Sequence, residues 1–223
     1  RSQYKVPGSL PGYVEAAEDR AINMLERDKN YPCVIMWSPG NETGAGDSLQ
    51  AEIDYFQNND DTRVVHYQGW NDNAGVDVWS NMYPNIGKQV KNSKKPYLMC
   101  EYLHAMGNSC GGMKEYWEEI RANGILQGGF IWDYIDQSIY KKDRYGKEFQ
   151  AYGGDFGERP TDYNVSGNGI AYGGNRDASP KMQEVKFNYQ NITAEVSADS
   201  VKVINKNLFV NTDIFDCKVT SME

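Results

Sequence analysis

The amino-acid sequence predicts an α/β protein with a parallel sheet, followed by the start of an all-β domain. Through residues 13–132, short apolar runs alternate with stretches in which apolar residues recur every three or four positions. Beyond residue 186, that pattern gives way to short β-type runs separated by Asp and Asn turns. Strands that alternate with helices are typical of a parallel sheet, because each crossover must return the chain to the same edge.

The chain begins with a loop and a helix. Residues 1–12 hold two prolines and two glycines, which favour a loop. Residues 13–28 place their apolar side chains on one helical face and their charges elsewhere. That apolar face consists of Val14, Ala17, Ala21, Met24 and Leu25.

The following segments alternate as this fold class requires. A first strand is predicted at 33–37, and a second amphipathic helix at 48–56, with Asp47 or Ser48 as its cap. The remaining strands of the set are predicted at 64–67, 77–83, 97–100 and 130–132. The remaining helices are predicted at 86–90 and 113–120.

Five predicted strands are too few for a closed barrel. They occupy about 180 residues, whereas a closed (β/α)8 barrel typically takes eight strands and roughly 250 residues. We therefore predict an incomplete (β/α)8 TIM barrel whose first strands are missing, with residues 1–28 entering from an absent strand. Such a chain would leave an open sheet edge and exposed apolar surface.

The sequence changes character after the last predicted strand. Residues 152–175 hold seven glycines and predict a long loop, of the kind that is usually functional or disordered. The β-type runs at 192–196, 200–204 and 208–215 predict the beginning of a β-sandwich. We accordingly divide the chain into residues 1–186, the later part of the barrel, and residues 187–223, the start of the all-β domain.

Composition narrows the class of partner and the compartment. A net charge of −8 over 223 residues argues against nucleic acid or an anionic membrane as a partner. The four cysteines show no CxxC or metal-binding spacing, so we interpret them as reduced. With no long apolar span and no signal sequence, we expect a cytoplasmic protein. The periplasm and secretion stay open, because the sequence lacks an initiator Met.

Two carboxylates follow predicted buried strands. Glu42 comes shortly after the apolar run 34–37, and Glu101 comes directly after the apolar run 97–100. Catalytic groups of parallel α/β folds lie at these carboxyl ends of strands. A single acid there is more often a solvent-facing side chain. Two acids are what glycoside hydrolysis requires, because one protonates the leaving oxygen while the other attacks or stabilises the anomeric carbon.

Four longer motifs extend this pattern along the chain. They are Trp-Ser-Pro-Gly-Asn-Glu (37–42), Cys-Glu-Tyr-Leu-His-Ala-Met-Gly-Asn-Ser (100–109), Gln-Gly-Gly-Phe-Ile-Trp-Asp-Tyr-Ile-Asp-Gln (127–137) and Tyr-Gly-Gly-Asp-Phe-Gly (152–157). In order and spacing they resemble the β-galactosidases of glycoside hydrolase family 2. The resemblance implies that the chain holds barrel strands 4–8. It also implies that a larger, homo-oligomeric enzyme releases terminal β-D-galactose from β-galactosides such as lactose, by retaining double displacement.

The resemblance assigns roles to four of the residues. Glu42 matches the general acid/base and Glu101 the nucleophile. Tyr83 matches a tyrosine that hydrogen-bonds the nucleophile, and His104 matches a residue that contacts substrate hydroxyls. A core tyrosine and a structural histidine are the alternatives for the last two.

Three more residues are candidate sugar contacts. The Asn41 amide, next to the acid, is placed to hydrogen-bond the sugar 2-hydroxyl. Trp132 ends the last predicted strand, where its ring would form a wall for the sugar. By resemblance, Asn168 meets the galactose 6-hydroxyl and a sodium ion. The alternatives are a turn residue for Asn41 and a core residue for Trp132.

Metal sites are implied by the resemblance alone. The family carries Mg²⁺ near the acid/base, where Glu42 matches one ligand. It also carries Na⁺, for which the Val165 carbonyl and the Asn168 side chain match. One carboxylate does not make the octahedral oxygen site that Mg²⁺ prefers. We expect the other ligands of both ions upstream of residue 1, so both sites are partial here. The sequence departs from the family at Pro39, often Leu, and at Val165, often an aromatic.

Two other interpretations stay open. The parent protein is alternatively another family 2 β-glycosidase, a β-glucuronidase or β-mannosidase. The sequence after the nucleophile in those enzymes lacks His-Ala-Met-Gly-Asn-Ser, and no basic motif for a uronate lies near either acid. The chain is alternatively a fragment that is inactive alone and needs the N-terminal half of the barrel as its partner.

Overall fold

The chain forms a five-stranded parallel sheet in a computed structural model that describes residues 6–70 and 74–220. The strands are β1 (Met36–Trp37), β2 (Val64–Gln68), β3 (Val78–Met82), β4 (Tyr97–Tyr102) and β5 (Leu126–Ile131). Their spatial order equals their chain order, and every neighbouring pair is parallel. Such consecutive parallel pairing is how barrel strands are arranged, as the sequence predicted.

Four helices accompany the sheet. They are α1 (Pro11–Asp28), α2 (Asp47–Asn59), α3 (Ile86–Asn92) and α4 (Met113–Ala122). The predicted apolar face of α1 is confirmed, with Ala21 and Leu25 buried. The helix begins two residues earlier than predicted, because Pro11 lies in its first turn, where a missing N–H costs nothing.

The predicted cap of α2 is wrong. Its cap position is Gly46, and Asp47 is already helical. The Asp47 N–H donates instead to the hydroxyl of Ser9, 3.1 Å away, and the Ser48 N–H donates to the Gly8 carbonyl at 3.1 Å. The helix start is therefore capped by the loop before α1, which no local pattern reveals.

Strand lengths also differ from the predictions. β1 holds two residues rather than five, and Ile35 before it is 72% exposed because it lies at a sheet edge. β4 continues to Tyr102, so Glu101 lies within the strand rather than after it. β5 begins four residues before the predicted start and ends at Ile131, which leaves Trp132 just beyond it.

The core lies between the sheet and the helices packed against it. Trp37 stacks on Phe56 of α2, with ring centroids 5.3 Å apart, and both rings are almost fully buried. Apolar surface also remains exposed at both sheet edges, as expected, at Ile35 and at Phe130 of β5. Among the helices of the described ranges, none is both long and apolar enough to cross a membrane.

A buried ion pair holds the start of β2 to the segment before β1. Arg63 lies 2.9 Å from Asp60, and both side chains are largely buried. The guanidinium also donates to the Val34 carbonyl at 2.7 Å, and Asp60 accepts from the Trp37 indole at 2.8 Å. Burial opposes ionisation of Asp60, but hydrogen bonds from Thr62, Trp37 and Arg63 outweigh it and lower the pKa of this carboxyl well below its usual range.

The chain after β5 contains more structure than the sequence predicted. An antiparallel hairpin, β6 (Ile139–Lys142) with β7 (Glu148–Ala151), and the helix α5 (Lys181–Asn188) were not predicted. A second hairpin, β8 (Ile192–Val196) with β9 (Val201–Asn205), confirms two of the three late β-type runs. The third run, 208–215, is not a strand. It contains a short 3-10 turn, and Leu208 and Phe209 are exposed.

The division at residue 186 stays a prediction. Residues 181–188 form one continuous helix, α5, so the proposed boundary falls inside a secondary-structure element. The glycine-rich stretch from 152 contains no helix or strand before α5 and crosses the rim of the sheet as loop. It carries two of the candidate site residues, Val165 and Asn168.

Candidate active site

Glu101 is anchored by Tyr83 at the carboxyl end of the sheet. Tyr83 directly follows β3, and its phenol donates to Glu101 Oε2 at 2.9 Å. The Tyr83 N–H also donates to the Glu101 carbonyl at 2.9 Å. Backbone and side chain of Tyr83 thus both bind Glu101, which is half-buried near the end of β4. This is the side-chain bond that the resemblance leads us to expect of Tyr83.

Burial and neighbouring charges raise the pKa of the Tyr83 phenol. The pKa of Tyr83 is raised well above its usual value, first by burial and then by the hydrogen bond and charge of Glu101. The charges of Cys100 and Glu42 contribute smaller increases. Glu42 follows β1 and Glu101 lies near the end of β4, and both strands belong to one parallel sheet. The two predicted acids therefore lie at the same edge of that sheet, where its strands end.

Unusual backbone conformations cluster at this site. Glu42, Tyr83 and Leu103 have φ angles of +52°, +46° and +49°, in the left-handed region that side-chain-bearing residues rarely adopt. Each such residue costs about 1–3 kcal/mol, and strain of this kind gathers at active sites and ligand clamps. All three lie at or after the carboxyl ends of β1, β3 and β4.

The loop that carries Glu42 is tied to the sheet one residue later. Thr43 Oγ1 lies 2.7 Å from the Tyr67 hydroxyl, and the Thr43 N–H donates to the same oxygen at 3.2 Å. Tyr67 belongs to β2 and is buried. Asn41 and Glu42 themselves are exposed. Their exposure agrees with the position of β1 at an edge of the described sheet.

His104 lies beside Tyr83 at the rim, with ring centroids 5.9 Å apart. Its Nδ1 accepts a hydrogen bond from the Met106 N–H at 3.2 Å. An accepting Nδ1 carries no proton, so the neutral ring has its proton on Nε2. The other ring nitrogen is then a donor for a hydroxyl group.

Trp132 stands next to this loop. The Ala105 N–H, directly after His104, donates to the Trp132 carbonyl at 2.7 Å, and the Trp132 N–H donates to the Tyr102 carbonyl at 3.3 Å. The Trp132 residue is 41% exposed, so it is not a core side chain. Its backbone is fixed to β4 while its surface remains open to a ligand.

Asn168 is a buried amide with an unsatisfied oxygen. The residue is 1% exposed, and its Oδ1 has no hydrogen-bond partner among the residues described. A buried polar atom without a partner is costly, so a ligand or ion that completes it would bind favourably. The Asn168 carbonyl accepts from the Asp133 N–H at 2.8 Å, which ties this loop to the one after β5. Val165, three residues earlier, is 51% exposed.

Asp136 supports the same loop. Its Oδ1 accepts from the Gly167 N–H at 2.9 Å and from the Ser166 hydroxyl at 3.3 Å, and its Oδ2 accepts from Ser138 at 3.0 Å. These bonds make Asp136 a support of the loop at the rim. Asp133 acts similarly, since its carboxylate accepts from Gln137 at 2.6 Å.

Sequence reasoning missed three residues that organise the site. Tyr67 and Thr43 anchor the Glu42 loop, and Lys181 binds the loops of His104 and Asn168. The first two give no sequence signal, because their bond joins separate elements. Lys181 gives a weak one, because a lysine in the first turn of a helix opposes the helix dipole.

A comparison with known protein families shows which family this chain belongs to. A family model described as "Glycosyl hydrolases family 2, TIM barrel domain" matches residues 1–194. The chain belongs to this family. Its five-stranded sheet is accordingly part of a TIM barrel, and its resemblance through the four motifs is confirmed at the level of the family.

Curated relatives of this family 2 chain are longer proteins. It is 48% identical over 220 residues to a β-galactosidase of Halalkalibacterium halodurans, covering 95% of this chain and 22% of that protein. It is 49% identical over 220 residues to a β-galactosidase of Clostridium acetobutylicum, covering 96% of this chain and 24% of that protein. The chain therefore spans about a quarter of the length of the relatives it matches.

Solved structures agree on the fold. A β-glucuronidase of Bacteroides uniformis superposes with a TM-score of 0.57 at 14% identity, over 85% of this chain and 27% of that chain. At this identity the likeness concerns the fold alone. It matches the incomplete barrel that the strand count predicted.

Proposed function

We propose that this chain is the catalytic part of the barrel of a β-galactosidase. The enzyme would hydrolyse terminal non-reducing β-D-galactose residues in β-galactosides. The observation that carries the proposal is geometric: the Tyr83 phenol donates to Glu101 at the carboxyl end of the parallel sheet, and the loop that carries Glu42 follows β1 at the same edge. Family membership and relatives that are named β-galactosidases support the substrate class.

In the proposed mechanism, Glu101 attacks the anomeric carbon while Glu42 donates its proton to the leaving oxygen. The C–O bond to the aglycone breaks as the glycosyl ester to Glu101 forms. Glu42, now ionised, then takes a proton from water, and the resulting hydroxide displaces Glu101 and releases galactose. Because Tyr83 occupies Oε2 of Glu101, Oε1 would be the attacking oxygen. Retention of configuration belongs to this proposal.

The remaining candidates surround the sugar in this scheme. His104 would donate from Nε2 to a substrate hydroxyl, since its Nδ1 already accepts a hydrogen bond. The exposed ring of Trp132 would cover an apolar face of the pyranose. Asn41 would hydrogen-bond the 2-hydroxyl, and Asn168 would meet the 6-hydroxyl through its buried amide.

The resemblance adds Na⁺ and Mg²⁺ to the proposal. The described residues offer better ligands for Na⁺ than for Mg²⁺. The unpartnered Oδ1 of Asn168 suits Na⁺, with the Val165 carbonyl as a second oxygen ligand. For Mg²⁺ the fit is poor. Within the described ranges, no group of three or more His, Cys, Asp or Glu side chains can hold a metal. Glu42 alone would contribute one ligand, so no step of the mechanism is assigned to Mg²⁺.

The partners and the compartment are proposals as well. We propose that the rest of the barrel comes from an N-terminal part of the same enzyme, because the relatives are about four times longer. A homo-oligomer at full length and a cytoplasmic location complete the proposal. Unpaired thiols at all four cysteines suit a reducing compartment. Assay of the chain alone, and then with the upstream part added, tests whether the fragment is active by itself.

Trapping of Glu101 tests the proposed function. A 2-fluoro-β-galactoside should label the full-length enzyme at the peptide that contains Glu101, as read by mass spectrometry. Glu101→Gln should abolish the label, whereas Glu115→Gln, an exposed acid of α4, should keep it. Label on another residue would contradict the assignment. Turnover of nitrophenyl galactoside against nitrophenyl glucuronide and mannoside separates the proposed activity from its family alternatives.

A further inference from the structure

Lys181 binds main-chain carbonyls from two different loops. Its ammonium donates to the Ala105 carbonyl, to the Gly167 carbonyl at 3.2 Å and to the Gly169 carbonyl at 3.5 Å. Ala105 follows β4, whereas the two glycines belong to the glycine-rich stretch before α5. The three bonds use all three donors of the ammonium group.

The position of this lysine is unfavourable by local rules. It lies in the first turn of α5, where the helix dipole disfavours a positive charge. It is also half-buried, which adds a desolvation cost for an ammonium group. Residues that break a local rule usually serve the tertiary structure or the function. Here the carbonyl oxygens offset both costs.

The bound carbonyls flank two candidate sugar contacts. Gly167 and Gly169 lie on either side of Asn168, whose amide oxygen is buried and unpartnered. Ala105 directly follows His104. The Gly107 N–H also donates to the Gly167 carbonyl at 3.3 Å, so the same two loops meet at a second point.

The backbone around Asn168 has little room to move on its other side. A Cβ at Gly169 would lie 2.1 Å from the Asp136 nitrogen and 2.3 Å from the Ala171 oxygen. The peptide is therefore packed against the loop after β5, while Lys181 holds it from the side of β4. Between these contacts the main chain on either side of Asn168 is held in place.

We propose that Lys181 is a positioning residue, which sets the Asn168 amide and the His104 ring for contact with the sugar. This inference rests on the proposed function, because it takes both residues as sugar contacts. Removal of the ammonium would leave the Ala105, Gly167 and Gly169 carbonyls without this donor and would loosen the two loops where Lys181 joins them. A displacement near 1 Å at a positioning contact costs up to about a hundredfold in rate.

The test compares two substrates that differ at the group Asn168 is proposed to meet. Nitrophenyl β-D-galactopyranoside carries the C6 hydroxymethyl group, and nitrophenyl α-L-arabinopyranoside has the same ring without it. In the full-length enzyme, Lys181→Met should lower kcat/KM for the galactoside on the order of 10- to 100-fold. The loss for the arabinopyranoside should be several-fold smaller. Lys181→Arg should restore part of the lost activity.

Two controls separate positioning from general stability. Lys114→Met removes an exposed lysine of α4, 3.6 Å from Glu118, and should leave both substrates unchanged. In a double-mutant cycle, Lys181→Met should cost much less on an Asn168→Ala background, because its main effect passes through that amide. A merely structural role gives equal losses for the two substrates and additive effects in the cycle.

The possible results of this test separate a failure of the Lys181 inference from a failure of the proposed function. Equal losses on both substrates, or activity within twofold of the wild type, overturn the inference while leaving the proposed function intact. Absence of galactoside turnover in the wild type overturns the proposed function itself. If Lys181→Met does not fold, Lys181→Gln and Lys181→Arg are measured with the same pair of substrates. If none of the three variants folds, Lys181 is a folding residue and the inference is wrong.

Discussion

The hydrogen bond from Tyr83 to Glu101 should control how well the nucleophile attacks. In Tyr83→Phe the phenol oxygen that lies 2.9 Å from Glu101 Oε2 is lost, while the ring and the backbone bond to the Glu101 carbonyl remain. The carboxylate then loses a donor that orients it. The change removes one contact and creates little space, so its effect reports the bond itself.

The magnitude follows from the charge on the acceptor. A hydrogen bond to a charged group contributes about 1.5–3 kcal/mol. With 1.36 kcal/mol for each factor of ten in rate, attack by Glu101 should slow by roughly 10- to 150-fold. Because the pKa of Tyr83 is raised above its usual value, the phenol remains a donor in mildly alkaline solution. The ratio of wild-type to variant rates should therefore be constant from about pH 6 to about pH 10.

The assay is steady-state hydrolysis of nitrophenyl β-galactoside by the full-length enzyme, together with the rate of labelling by the 2-fluoro-galactoside. Tyr13→Phe is the matched control, because Tyr13 on α1 is 47% exposed and Tyr83 is 44% exposed. Labelling of the Tyr83 variant within twofold of the wild-type rate would refute the reasoning. A ratio that falls towards one near pH 10 would show that the phenol ionises in its usual range.

Two further predictions concern the stability of the fold, and a third concerns the loop that carries Glu42. Asp60→Asn breaks the buried pair with Arg63 and should lower the free energy of unfolding by about 3–5 kcal/mol. Because the pKa of Asp60 is lowered, its carboxylate stabilises the fold at neutral pH and loses this effect when it is protonated in acid. The difference in denaturant midpoint between the wild type and Asp60→Asn should therefore shrink as the pH falls below about 4. Burial raises the pKa of Glu52 from 4.5 to about 7, so its ionisation opposes folding as the pH rises through that interval. The free energy of unfolding of Glu52→Gln should therefore equal that of the wild type near pH 4 and exceed it by about 1–2 kcal/mol at pH 8, as measured by chemical unfolding. This difference is smaller than the full pKa shift implies, because Glu52 is partly exposed to solvent. Tyr67→Phe removes the hydroxyl that holds Thr43. Because one such hydrogen bond contributes about 0.5–1.5 kcal/mol, its loss should lower kcat several-fold.

Each of these three predictions would be contradicted by a specific result. A constant difference between wild type and Asp60→Asn down to pH 2 would show that the pair does not depress the pKa of Asp60. Equal unfolding midpoints of wild type and Glu52→Gln at pH 8 would show that Glu52 is solvated. For Tyr67→Phe, Tyr145→Phe is the control, since Tyr145 is 77% exposed. Unchanged kcat in both variants would mean that the Thr43 bond does not hold the loop.

Local patterns succeeded where one segment buries one face. The helical period of α1 depends on neighbours along the chain, and this helix lies within two residues of its predicted bounds. Patterns failed where little is buried or where apolar residues find no partner. α5 buries Val185 and Asn188, too few residues for a helical period. The apolar run 208–215 is exposed, because no strand pairs with it among the described residues.

The sequence by itself determined the alternation of strands with helices and the positions of the candidate acids, because these depend on residue types at short spacing, and its four motifs carried the resemblance to the family. Only the tertiary structure decided which groups meet. Tyr83 reaches Glu101 across 18 positions, Asp47 is capped by Ser9 across 38, and Lys181 reaches Ala105 across 76. Such contacts depend on strand register and on loop conformations that residue periodicity does not encode. The same physical reason explains why Lys181 was found only once the loops were in place.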